Sequence, residues 1–275
     1  MNFFKSILIA VAVTVLIGIS HSASADKLDD VIKSGVLNCG VVADFPPMGF
    51  IDKNNEPAGF DVDYCKDLAK QMGVKVKVFN LTWGDRIPSL ISGKTDVVVG
   101  STSDTLERAK SVGFTYPYFV FKFQVISKKD SGINTFDDLK NVKVGAPLGT
   151  TYETEYLAYA KKKGWGKSNY TAFKSENDGY LALYQGKIDA LISTNTNIAV
   201  KLATEEFKDY AAGPFVPNYD DVVGLIAKRS EVAWIQYLNL FLIHQIRDGR
   251  FDELHQKYFN SPASPSMIQS LRDNK

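Results

Sequence analysis

DVDYCKDLAKQMGVKVKV, residues 61–78, carries two periods in one short run. Through residue 72 the side chains Val62, Cys65, Leu68, Ala69 and Met72 return every three or four positions, the spacing of one helix face. Gly73 supplies the residue type with which helices end. After it Val74, Val76 and Val78 alternate with lysines, the period of a half-exposed strand. A helix that feeds directly into a strand is part of a βα repeat.

The repeat extends on both sides. Residues 36–42 read as a strand before the helix, Ile87, Leu90 and Ile91 mark a short helix after it, and 96–99 form a buried strand. Three such units in a row imply a parallel sheet with helices on its faces. The pattern then begins again, with a strand over 119–126, a capped helical turn over 135–140, a strand over 142–146 and a helix over 151–163. A helix over 178–185, a strand over 188–192 and a helix over 196–206 follow. Residues 213–218, with two prolines, read as a connector before a strand over 222–227 and a helical tail over 231–259. The expectation is an α/β chain of two lobes, residues 26–120 with 215–275 and residues 121–214, each long enough to bury its own core.

Residues 1–25 hold one lysine, Lys5, then an apolar run and the small residues Ala23, Ser24 and Ala25, the pattern of a secretory leader cleaved after Ala25. The run is shorter than the roughly 20 residues that span a bilayer. Without Lys5, the 32 basic side chains fall to 31 and match the 31 acidic ones, with both signs interspersed. Nucleic acid is therefore an unsuitable partner, since it requires a basic stripe. Lys161, Lys162 and Lys163 are the nearest approach to one, at the end of a polar helix where the macrodipole favours them. Cys39 and Cys65 would share an oxidising compartment, where they either bond or remain two small buried hydrophobes. A zinc site lacks four suitably spaced ligands, and no cofactor is expected.

Two turns have the form of ligand sites. The strand ending at Val99 runs into Gly100, Ser101, Thr102, Ser103, Asp104 and Thr105 before the helix with Arg108, and the strand over 142–146 runs into Gly149, Thr150 and Thr151. Ligands of open α/β sheets sit at such strand ends, near helix N-termini with free backbone donors. One turn per lobe suggests a carboxylate held from both sides. The simpler readings are ordinary helix caps and an Asp104–Arg108 surface pair. Phe45 and Trp83 sit in turns rich in Pro, Gly and Asp, where an aromatic has less core to fill.

In these segments the sequence resembles family 3 of the bacterial extracellular solute-binding proteins, the polar amino-acid receptors. The resemblance is carried by 35–40, Ala43-Asp44-Phe45-Pro46-Pro47, Gly59-Phe60-Asp61-Val62-Asp63, residues 83–90 and 96–108. It continues through Gly149-Thr150-Thr151, Gly186-Lys187-Ile188-Asp189-Ala190 and the tail from Gly249 to Phe259. It implies the two-lobe type II periplasmic-binding-protein fold, each lobe a mixed, mainly parallel sheet flanked by helices and joined by two hinge strands. It further implies a monomeric periplasmic receptor that closes on an amino-acid-like ligand, by bending near 119–123 and 212–218, and delivers it to an inner-membrane ABC permease.

Position by position, the resemblance makes Arg108 the arginine that forks onto the ligand carboxylate, with Ser101, Ser103, Thr150 and Thr151 as further contacts. Phe45 and Trp83 match the aromatic pair around the ligand side chain, with a cation–π contribution if that side chain is cationic. Thr194 falls where the family places an acid for the ligand ammonium, and no acid lies between 191 and 201. Asp44 is the first replacement considered, then Asp220 and Asp221; the alternative is a ligand that is not an ordinary α-amino acid. Two other readings are a cyclohexadienyl-dehydratase-like enzyme, which needs a general acid in the pocket, and a sensor or soluble co-receptor. A sensor chain is expected to continue into a membrane span, whereas this one stops at Lys275.

Overall fold

The computed structural model describes residues 26–166, 169–263 and 269. The expected leader lies outside the described residues. In the first half run α1 (Lys27–Ser34), β1 (Val36–Val41), the hairpin β2 (Phe50–Ile51) and β3 (Pro57–Ala58), α2 (Phe60–Met72) and β4 (Lys75–Asn80). Next come α3 (Arg86–Ile91), β5 (Val97–Ser103), α4 (Leu106–Ala109) and the long β6 (Val112–Lys128). The second lobe contributes β7 (Val144–Pro147), α5 (Thr151–Lys162), β8 (Tyr170–Phe173), α6 (Glu176–Tyr184), β9 (Ala190–Thr194) and α7 (Asn195–Leu202). The chain returns along β10 (Tyr210–Lys228) and ends in α8 (Val232–Arg247) and α9 (Arg250–Phe259).

The two periods of the opening stretch are present as read. Helix α2 buries Val62, Cys65, Leu68 and Ala69 on one face, and Gly73 closes it in the left-handed conformation at φ 68°, which costs glycine little because it has no Cβ. Each fully buried aliphatic side chain of this kind stabilises the fold by roughly 1.5–3 kcal/mol. Strand β1 lies between β4 and β5, parallel to both, and its alternate side chains Leu37, Cys39 and Val41 are fully buried. Cys39 of β1 is bonded to Cys65 of α2, which ties the central strand to the helix above it.

Eight strands form a continuous mixed sheet in the order β4-β1-β5-β10-β6-β9-β7-β8. The parallel pairs lie at its two ends, β1 with β4 and β5, and β7 with β8 and β9. Between them β6 and β10 run antiparallel over most of their length and carry the chain from one end to the other. Residues 213–218, read as a connector, belong to β10; their prolines and glycine appear as register shifts between Ala212 and Phe215 and between Phe215 and Asp220. A bulged strand tolerates proline because the extra residue leaves the ladder. One large apolar cluster joins Leu37, Leu68, Val99, Leu225 and Trp234. Two others join Phe123, Val144 and Ile192, and Ile126, Leu183 and Ile198. The capped turn is a 3-10 segment, Phe136–Asn141, whose Thr135 and Asp138 form a reciprocal cap. The tail breaks at Gly249 into two helices.

Candidate functional site

The C-terminal ends of β5, β7 and β9 meet at a narrow cavity of ≈ 10 Å³. Phe45, Trp83, Ser101 and Ser103 line it from one side, and Thr150, Thr151 and Thr194 from the other. With Asp221, which lines it too, sequence reasoning thus named eight residues that the fold gathers around one space. It missed Arg86, Phe121 and Tyr152, which also line it. A sequence signal for Arg86 existed: a basic residue at the head of Ile87-Pro88-Ser89-Leu90, three residues after Trp83.

Arg108 bridges the lobes at the edge of this cavity. Its Nη1 donates to the Ser103 carbonyl (3.2 Å) and to Thr151 Oγ1 (3.0 Å), and its Nη2 donates to the Gly149 carbonyl (3.1 Å). Thr151 Oγ1 in turn donates to Ser103 Oγ at 2.6 Å. The expected alternative, a surface pair with Asp104, is absent among the described residues. Gly149 has φ 82°, and a Cβ there would come within 3.5 Å of the Gly84 nitrogen. That distance is ordinary van der Waals contact, so it is the left-handed turn that calls for glycine here.

Several candidates serve the backbone as well. Thr150 caps α5 by accepting from the Glu153 N–H, and Thr194 caps α7 by accepting from the Asn197 N–H. Ser101 is held in the left-handed region at φ 48°, a strained conformation for a residue with a side chain. Its carbonyl accepts from Arg86 Nη1 (2.9 Å), while its N–H donates to Tyr118 Oη (2.9 Å). Phe45 packs edge-on to Trp83 at 4.9 Å between ring centres.

The three acids considered for the ligand ammonium separate clearly. Asp44 does not line the cavity; its carboxylate accepts the Glu176 N–H at 3.0 Å, capping α6 of the other lobe. Asp220 is exposed and lies 3.5 Å from Lys122. Asp221 does line the cavity, is 4% exposed, and its Oδ1 has no hydrogen-bond partner. Burial pushes its pKa up to about 7, while Ser103, Arg108 and Arg86 pull it back toward the ionised form. Side chains alternate along β10, so Asp221 faces inward where its neighbour Asp220 faces out.

A fourth acid escaped sequence reasoning. Glu176 is fully buried; Tyr152 donates to its Oε1 and Ser193 donates to its Oε2 at 3.2 Å. Burial raises its pKa to about 8, so at neutral pH the protonated form dominates. Its place at the head of α6 gave no hint of burial, since acids in a first helical turn are commonly solvated.

The sequence profile of the bacterial extracellular solute-binding proteins, family 3, matches residues 37–261. ABC transporter arginine-binding protein 1 of Escherichia coli (strain K12) is 31% identical over 232 residues, 81% of this chain and 90% of that protein. A mutant of ArgBP from T. maritima has a similar structure, with a TM-score of 0.78 at 30% identity over 86% of this chain and 100% of that one. The ancestral amino acid-binding protein AncCDT-1, a precursor of cyclohexadienyl dehydratase, has a TM-score of 0.75 at 32% identity, covering 86% of this chain and 100% of its own.

Proposed function

The chain belongs to family 3 of the bacterial extracellular solute-binding proteins, and from that premise we propose that it is a periplasmic receptor for an amino acid, which it hands to an ABC importer. The leader would be cleaved after Ala25, and the mature chain would work as a monomer. The observation that carries this reading is the Arg108, Ser103 and Thr151 set, which draws donors from both lobes to one point. A ligand carboxylate placed there would be shared by the two lobes and so would stabilise the closed form over the open one. Asp221 would face the ligand ammonium, the role that Thr194 cannot fill. Phe45 and Trp83 would wall the side chain. Residues 26–120 with 215–275 would move against 121–214 by bending of β6 and β10, whose register shifts mark the compliant stretch.

Catalysis finds less support. Among the described residues Asp221 is the one carboxyl lining the cavity, and its assignment to the ligand ammonium leaves no separate general acid there, whereas Glu176 sits behind Tyr152 with both oxygens engaged. The test of the receptor reading is a melt of the mature chain with each amino acid. A ligand at 100 times its dissociation constant adds about 2.7 kcal/mol, roughly 5–10 °C for a chain of this size. Shifts below a degree with every amino acid, their derivatives and small organic acids would refute the proposal.

A further inference from the structure

Trp83 presents less free aromatic face than its sequence position promised. The guanidinium carbon of Arg86 lies 4.7 Å from the centre of its ring, so a cation already occupies that face. Arg86 itself is 3% exposed. Its Nε donates to the Trp83 carbonyl (3.0 Å), its Nη1 to the carbonyls of Gly100 (3.0 Å) and Ser101, and its Nη2 to the Gly149 carbonyl (3.3 Å). A guanidinium has five N–H donors, and Nη2 keeps one without a partner among the described residues. The Trp83 indole N–H is likewise buried and unpartnered. Two donors on this side of the cavity are thus left without an acceptor.

Charge points the same way. Among the described residues no carboxylate lies within ion-pair distance of Arg86, and Asp221 acts on it from farther away. Asp61 is also near, behind Ser101, but burial drives it toward the neutral acid, and Tyr118 and Ser101 both donate to it. If an α-amino acid sets its carboxylate on Arg108 and its ammonium on Asp221, the charge of Arg86 remains unmatched. A neutral side chain would leave a buried cation uncompensated, and a basic one would add a second cation beside it; both are costly in a dry site.

We propose that the ligand is an amino acid with a second carboxylate in its side chain, held by Arg86 and the Trp83 indole N–H. This rests on the receptor reading above and sets the chain apart from its arginine-binding relatives. The experiment is calorimetric titration of the mature protein with L-glutamate, L-aspartate, L-glutamine, L-asparagine, L-arginine and L-lysine. One of the two acids should bind at least about tenfold more tightly than its amide, and about 100-fold more tightly than arginine or lysine. Tightest binding of an amide or a basic amino acid would overturn the inference while leaving the receptor reading intact. Silence across these six, together with no melting shift from any amino acid, derivative or small organic acid, would remove both. Arg86→Met should cut the acid-to-amide preference by about tenfold or more while retaining amide binding; a preference unchanged in folded Arg86→Met would also overturn it. Should that variant not fold, the selectivity of the native chain decides the matter alone.

Discussion

Asp44 Oδ2 accepts the backbone N–H of Glu176 at 3.0 Å, so a residue of one lobe caps a helix that belongs to the other. The two are 132 positions apart in sequence. A second bond runs alongside, from Asn197 Nδ2 to the Pro46 carbonyl at 2.7 Å. Both join residues of the two lobes, so on the proposed reading they would favour closure.

Removing the cap should weaken the closed form without touching the ligand. Loss of a capping oxygen costs about 0.5–2 kcal/mol, so Asp44→Ala should lower ligand affinity by roughly 2- to 30-fold. Asp44→Asn should stay within about threefold of wild type, because asparagine caps as well as aspartate. Calorimetry on the two variants checks this, and equal losses in both would show that the charge, not the cap, is what matters.

On the proposed reading Arg108 would hold the ligand carboxylate, beside Ser103 and Thr151. Truncation of one partner in a buried, charged hydrogen-bonded pair costs about 2–5 kcal/mol, and Arg108→Ala should lose at least that lower figure in binding. A surface ion pair would cost under about 1 kcal/mol. A loss of less than about fivefold, about 1 kcal/mol, would place the ligand carboxylate elsewhere.

Much of this was legible in sequence and some was not, for physical reasons. The switch of period at Gly73 and the hydroxyl-rich ends of β5 and β7 are local signals, and the fold honours them. Whether Cys39 meets Cys65, whether Asp44 or Asp221 faces the cavity, and what lies behind Tyr152 all depend on contacts between distant segments. Residues 213–218 misled for a related reason: prolines break an isolated strand, yet here β6 supplies the partner that holds a bulged one.

Glu176 should make stability fall as pH rises. The unfolded chain releases this proton near pH 4.3, whereas the folded chain keeps it to about 8. Between those values the folded state binds more protons, so the stability is fully present below the lower pKa and is lost as pH rises through the upper one. Asp221, raised to about 7, adds a slope of the same sign. The melting temperature of the ligand-free protein should therefore drop from pH 5 to pH 8, and Glu176→Gln, which mimics the neutral acid, should flatten most of that drop. An unchanged slope in the variant would assign the effect to another group.

Asp221 should show opposite signs in folding and in binding. Free, it is a buried carboxyl with an unpartnered oxygen, so Asp221→Asn should leave the melting temperature equal or higher. Bound, it would face the ligand ammonium, and losing that charge should cost about 2–5 kcal/mol of affinity for a zwitterion. The same geometry fixes a proton count. With a free pKa of about 7, part of the population is protonated at pH 6.5, and an arriving ammonium lowers the pKa and drives that proton off. Affinity should accordingly rise from pH 5 to pH 8, against the trend in stability. Calorimetry at pH 6.5 in two buffers of different ionisation enthalpy should register proton release in the wild type and none attributable to this site in Asp221→Asn. Proton uptake in the wild type, or affinity unaffected by the substitution, would move the ammonium away from Asp221.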